Sequence, residues 1–174
     1  VPRRWAAARR EDNITAIAFN TGINTFGDSL VGLDSTAQWS FGTSTYSASG
    51  RSLTFTLGAQ DDVVGGSVTD TFNFQGVTTP VIRTVDGSGG ADTITGNNVV
   101  SNWTINGSNA GTLQPGISAF GSFTNVENVV GGNAADTFTF TNNGRLDGAI
   151  DGGAGSDLLI GDSDGFQVTI TAGM

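Results

Sequence analysis

Residues 28–41 read DSLVGLDSTAQWSF, residues 92–105 read DTITGNNVVSNWTI, and residues 157–170 read DLLIGDSDGFQVTI. Set above one another without a gap, they align Asp28 with Asp92 and Asp157, and Gly32 with Gly96 and Gly161. Trp39 then meets Trp103 and Val168, and Phe41 meets Ile105 and Ile170, at offsets of 64 and 65 positions. A second block agrees: VVGGSVTDTFNF at 63–74 returns as VVGGNAADTFTF at 129–140, an offset of 66. A fixed period of this kind is the mark of architectures in which like units stack and bury a continuous core between neighbours.

Inside the long unit the same phrase returns at a shorter step, from Asp70 to Asp92 after 22 positions and from Asp136 to Asp157 after 21. Three such steps make one long repeat. Apolar residues alternate with Thr, Ser or Asn in short runs such as Leu53-Thr54-Phe55-Thr56-Leu57 and Thr137-Phe138-Thr139-Phe140, which is the period of a strand with one buried face. The expected fold is all-β, a parallel β-solenoid (β-helix) of about 22 residues per coil with strands about 4.8 Å apart. A sandwich, or a split into small β domains, is the alternative. Asp70, Asp92, Asp136 and Asp157 are expected at one corner of the coils, with Phe72, Ile94, Phe138 and Leu159 pointing inward and Trp39 and Trp103 in the core. The units run about 22–85, 86–150 and a partial 151–174 within a repeat region of 13–174. Residues 1–12, VPRRWAAARRED, stand outside the repeat as a basic segment with helical leanings, read as a cap or assembly arm.

Composition narrows the chemistry. The chain has 174 residues, 27 of them Gly, with no Cys and no His, and seven Arg against 16 acids for a net charge of −9. Without Cys there is no disulfide framework or thiolate metal site, and without His the commonest general base and transition-metal ligand are gone. An acidic chain repels phosphate backbones, so nucleic acid is not an expected partner. No apolar run approaches the roughly 20 residues of a membrane-spanning helix. Acid pairs such as Asp61-Asp62 read as turn residues rather than a catalytic dyad, and no enzyme activity is expected.

Residues 152–160, GGAGSDLLI, fit the pattern G-G-x-G-x-D-x-U-x, in which U is a large apolar residue; residues 87–95, GSGGADTIT, depart only at Ser88. Residues 65–73 and 131–139 depart at Val68 and Ala134. This resembles the glycine-rich nonapeptide of the hemolysin-type, or RTX, calcium-binding repeat family. The whole unit, with Trp103-Thr104-Ile105 and the lead-in Asn125-Val126-Glu127-Asn128, is similar to long repeats of large bacterial exoproteins and surface adhesins. The resemblance implies calcium held by Asp92 with Gly87, Gly89 and Gly90, and by Asp157 with Gly152 and Gly155, and less completely by Asp70 and Asp136. The family sets its nonapeptides in direct tandem, whereas here they stand at least 21 positions apart, so little or no calcium dependence of folding is expected. Gly and Asp equally serve as turn formers, Asp bonding to amides two positions on.

The resulting expectation is an extracellular or cell-surface structural protein, the repeat region of a bacterial adhesin or the subunit of a fibre. It would assemble with itself head to tail or laterally through Arg3, Arg4, Trp5, Arg9 and Arg10, and matrix or surface polysaccharide is a further partner. The alternative is a calcium-stabilised sugar-binding or accessory module of a polysaccharide-active secreted enzyme.

Overall fold

The computed structural model describes residues 27–78, 82–114 and 120–162, together with the backbone of 4–6 and 16–18. The described chain is all-β. Its strands are short because apolar residues alternate with small polar ones for only a few positions before a Gly, Asn or Asp turn interrupts them. They form two mixed sheets.

The nine-stranded sheet runs, edge to edge, through β1 (Arg4–Ala6), β3 (Ser29–Val31), β7 (Asp62–Val64), β9 (Thr84–Asp86), β13 (Ser122–Thr124), β12 (Ala110–Gln114), β11 (Asn102–Gly107), β15 (Thr137–Phe140) and β17 (Leu158–Ile160). The eight-stranded sheet runs through β16 (Ile150–Gly153), β14 (Asn128–Gly132), β10 (Thr93–Thr95), β8 (Asp70–Asn73), β4 (Ala37–Ser40), β5 (Thr45–Ala48), β6 (Arg51–Thr56) and β2 (Ala16–Ala18). From β6 to β11, and again from β13 to β17, each strand lies in the sheet opposite its predecessor. Neighbours in one sheet are therefore parallel, and the crossover between them is a strand of the other sheet. Asp62 lies beside Thr84 and Thr71 beside Thr93, in each case 22 positions on.

Two antiparallel meanders interrupt this pattern, β4-β5-β6 and β11-β12-β13. They lengthen the local step: Ser29 lies beside Asp62, 33 positions on, and Thr93 beside Asn128, 35 positions on. The long repeat is thus not three equal steps of 22. It is five crossings between sheets plus one meander. Because five is odd, the repeat changes sheets each time, so that β3, β10 and β17 hold the same repeat position but lie in the nine-, eight- and nine-stranded sheet respectively. The turn Ser49-Gly50 between β5 and β6 has φ of 51° and 72°, the doubly positive arrangement that matches the twist of a tight hairpin.

Inward-facing apolar residues of both sheets form one core. Trp39 stacks on Phe72 at 6.0 Å between ring centroids and Trp103 stacks on Phe138 at 5.8 Å, the same contact repeated 64 to 66 positions on. Phe41 stacks on Phe74 at 4.1 Å, and Phe74 meets Phe120 at 4.6 Å, which joins the aromatic rows of the two sheets. Such pairs add about 0.5–1.5 kcal/mol each beyond the area they bury. Trp39, Trp103, Phe72, Ile94 and Phe138 are buried as expected, but Leu159 is not, since no described strand overlies β17. At the N-terminus Arg4–Ala6 is a strand rather than helix, paired parallel to β3.

Candidate functional site

Each of the four Gly/Asp phrases ends in a strand, and each pairs a glycine with an acid five positions later: Gly65 with Asp70, Gly87 with Asp92, Gly131 with Asp136 and Gly152 with Asp157. The five-residue spacing folds the turn back so that the carboxylate lies against the glycine. A Cβ on Gly87 would stand 2.6 Å from Asp92 Oδ2 and 1.9 Å from the Asn125 carbonyl oxygen, closer than atoms can approach. On Gly152 the three atoms nearest a Cβ all belong to the Asp157 side chain, Oδ2 at 2.3 Å, Cγ at 2.7 Å and Cβ at 2.8 Å.

The carboxylates form a ladder between strands. The Asp70 N–H donates to Asp92 Oδ1 at 2.7 Å, and the Asp92 N–H donates to Glu127 Oε2 at 2.8 Å. In the other sheet the Ser101 N–H donates to Asp136 Oδ1 at 2.8 Å, and the Asp136 N–H donates to Asp157 Oδ1 at 2.9 Å. The Asp28 N–H likewise donates to Asp61 Oδ1 at 2.9 Å. In every case the donor leads the earlier strand and the carboxylate leads the later one. Each bond therefore satisfies an amide at a turn where the ladder of backbone bonds is broken, and ties neighbouring strands together.

Asp70, Asp92 and Asp136 are buried, and one oxygen of each (Asp70 Oδ1, Asp92 Oδ2 and Asp136 Oδ2) has no hydrogen-bond partner. Burial pushes the Asp92 carboxyl up to about 7, with the neighbouring carboxylates of Asp70, Glu127 and Asp86 adding to the rise. Asp70 is pushed up to about 6 by burial, against the opposing Gly66 N–H, which donates to its Oδ2 at 2.6 Å. Asp136 is also raised, chiefly by burial.

The four acids do not share one corner. Asp70 and Asp92 lead β8 and β10 of the eight-stranded sheet, while Asp136 and Asp157 lead β15 and β17 of the nine-stranded one, because the repeat changes sheets. Gly90 and Gly155 take φ of 126° and 120° and lie against the backbone of the preceding turn at Val68-Thr69 and Ala134-Ala135; Gly89 lies alongside Ser67. Bonding two positions on occurs at Asp86, which accepts the Ser88 N–H, and at Asp151, which accepts the Gly153 N–H. The motif acids instead bond across strands.

The oxygens nearest a Cβ on Gly87 are Asp92 Oδ2 and the Asn125 carbonyl, while Asp92 Oδ1 accepts the Asp70 amide. Among the described residues no group of three or more acids stands close enough together to hold a metal ion.

Glu127 has a role that sequence reasoning missed. It precedes β14 as Asp61 precedes β7, 66 positions earlier, and both accept the amide leading the previous strand; alignment of positions 61 and 127 carried the signal. Glu127 Oε1 also accepts from Asn109 Nδ2 at 3.0 Å. Arg83 pairs with Asp62 and Arg145 with Asp147. An open trough on the outer side of the eight-stranded sheet is lined by Gln38, Ser47, Arg51, Ser52 and Thr71, and contains no acid or His. Of the expected assembly residues, Arg4 and Trp5 are described only as backbone of β1, and Arg3, Arg9 and Arg10 lie outside the described residues. No described helix is long and apolar enough to cross a membrane. Compared with known proteins, the chain matches no family model, no curated protein and no solved structure.

Proposed function

We propose that the chain is an extracellular structural protein: a β-solenoid repeat region of a bacterial surface adhesin, or the subunit of an extracellular fibre, assembling end to end. The two sheets are the walls of a flattened solenoid, one strand from each wall making a coil of about 22 residues, with a meander added once per long repeat. The observation that carries this reading is the carboxylate ladder. The acids that recur with the repeat hold the amides of adjacent strands, and the recurring Trp residues fill the core, so the repeated polar groups maintain stacking rather than form a reaction centre. Units that contact only their neighbours extend without limit, which suits a spacer or filament. The resemblance to hemolysin-type repeats supports secretion, and Asp92 Oδ1, which holds the Asp70 amide, supports a structural use of the motif acid. Electron microscopy of the purified chain tests the proposal: rods or fibres about one solenoid wide support it, and compact particles at every concentration contradict it.

The trough lined by Gln38, Ser47, Arg51, Ser52 and Thr71 favours a second reading, a sugar-binding module, through its row of hydroxyl and amide groups. A glycan array separates the two. Binding lost on Arg51→Ala would favour the module, and its absence would favour the structural role.

A further inference from the structure

The trough at Gln38, Ser47 and Ser52 is one end of a longer row. Strand pairing sets Ser52 beside Ser47, Ser47 beside Gln38, Gln38 beside Thr71, Thr71 beside Thr93 and Thr93 beside Asn128, with no slip of register from β6 to β14. Their chain neighbours Leu53, Tyr46, Trp39, Phe72, Ile94 and Val129 are buried, so strand alternation turns the row to the outer face. A second row, two positions along the strands from Thr54 to Thr95, is likewise uncharged. This neutrality is particular to one wall. The chain has a net charge of −9, and the outer face of the nine-stranded sheet carries Asp62 and Asp86. Gln38, Thr71 and Thr93 make no side-chain hydrogen bond among the described residues, so their polar groups are open to a ligand. Ser47 and Ser52 bond to each other at 3.1 Å and keep acceptor capacity. The open row ends at Asn128, whose Nδ2 donates to the Asp92 carbonyl oxygen at 3.1 Å and whose Oδ1 accepts the Ala149 N–H at 3.0 Å.

We infer that this row binds a neutral, extended polysaccharide of equatorially 1→4-linked pyranoses, laid across the strands with one sugar unit on each of Thr93, Thr71, Gln38, Ser47 and Ser52. This rests on the sugar-binding reading above and names its ligand. Spacing favours it, because a sugar unit in such a chain advances by close to one strand spacing, about 4.8 Å, so hydroxyls and row stay in step. A coiled, axially linked glycan leaves a straight row after a unit or two. Charge favours a neutral polymer: the two rows hold no charged residue, and the acidic chain repels polyanions. Trp39, Tyr46 and Phe72 point inward and leave no ring on this face, so contact is made by hydrogen bonds to hydroxyl edges rather than by stacking. A second copy of the chain is a poor occupant. The open rows extend about 20 Å by 7 Å, far below the roughly 800 Å² that each partner buries in a stable protein complex.

The experiment is isothermal titration calorimetry of the full chain with cello-oligosaccharides of two to six units, with maltohexaose, which coils, and with hexamannuronate, which is extended but anionic. Affinity for the cello-series is expected to rise with each unit up to five and then level off, with the other two sugars at least tenfold weaker. Thr71→Glu should weaken cellohexaose binding at least tenfold and Gln38→Ala about threefold, the loss of one hydrogen bond. Thr124→Glu, exposed on the other wall, should leave it unchanged. Melting curves confirm that each variant folds, and all three positions face outward. Affinity independent of length, equal binding of maltohexaose or hexamannuronate, or an equal loss in Thr124→Glu overturns the row as the site while the sugar-binding reading stands. No binding of these sugars or of any on a glycan array overturns both.

Discussion

Asp92-Thr93-Ile94 and Asp157-Leu158-Leu159 stand 65 positions apart at the same place in the repeat, yet the first is buried and the second is exposed. The more apolar of the two is the one open to solvent. What differs is the neighbourhood: β10 lies between β8 and β14, whereas among the described residues β17 pairs with β15 alone. Burial in this molecule is therefore conferred by the adjoining strands and not by the segment's own composition, as expected where stability is a sum of nearest-neighbour terms.

The largest predicted contrast follows from packing. Ile94→Ala is expected to lower stability by about 2–5 kcal/mol, since it leaves a cavity between two covering strands, whereas Leu159→Ala should cost less than about 1 kcal/mol in the dilute chain. Equal losses in urea titrations of the two variants would break the comparison. Next come the glycines. Gly87→Ala drives a Cβ into the Asn125 carbonyl and should cost about 1–3 kcal/mol or more. Gly152→Ala meets the Asp157 side chain, whose Cβ at 2.8 Å no change of rotamer removes and whose Oδ1 holds the Asp136 amide, and should cost about 1 kcal/mol, less than Gly87→Ala because no backbone carbonyl is among its nearest contacts.

The comparison also has a pH dependence. Asp92 and Asp70, raised in the folded state to about 7 and about 6 from an ordinary value of 3.8, bind protons that the unfolded chain has already released. Between those values the folded state holds more protons, so its stability increases as pH falls and is lost as pH rises through about 6 to 7. Melting temperature should accordingly be higher at about pH 5 than at about pH 8, and Asp92→Asn should flatten the profile. A melting temperature that rises with pH over this window would show that these carboxylates are ionised in the fold.

Much of this was legible in the sequence. Alternation in Thr93-Ile94-Thr95 and Thr137-Phe138-Thr139 marked the strands, and the recurrence of Trp39 at Trp103 marked a core position. The choice of sheet was not legible, because it depends on the parity of the crossings, and the first turn of each meander, which helps set that parity, has a positive φ at Ser44 in one repeat and at Asn109 in the other. The ladder was only half visible. Asp before a strand is legible as a turn former or ion ligand, but its hydrogen-bond partner stands 21 to 35 positions away, and at one step the acid is Glu127. Leu159 shows the limit most directly: its apolar type and repeat position mark it for the core, yet it is exposed, with no strand beyond β17 among the described residues.

Hydrogen exchange read segment by segment tests the central claim, that like units are protected only by the strands beside them. In dilute solution the amides of 93–95 should exchange slowly and those of 158–160 at least tenfold faster. Equal protection of the two segments in the dilute, monomeric chain would contradict the account.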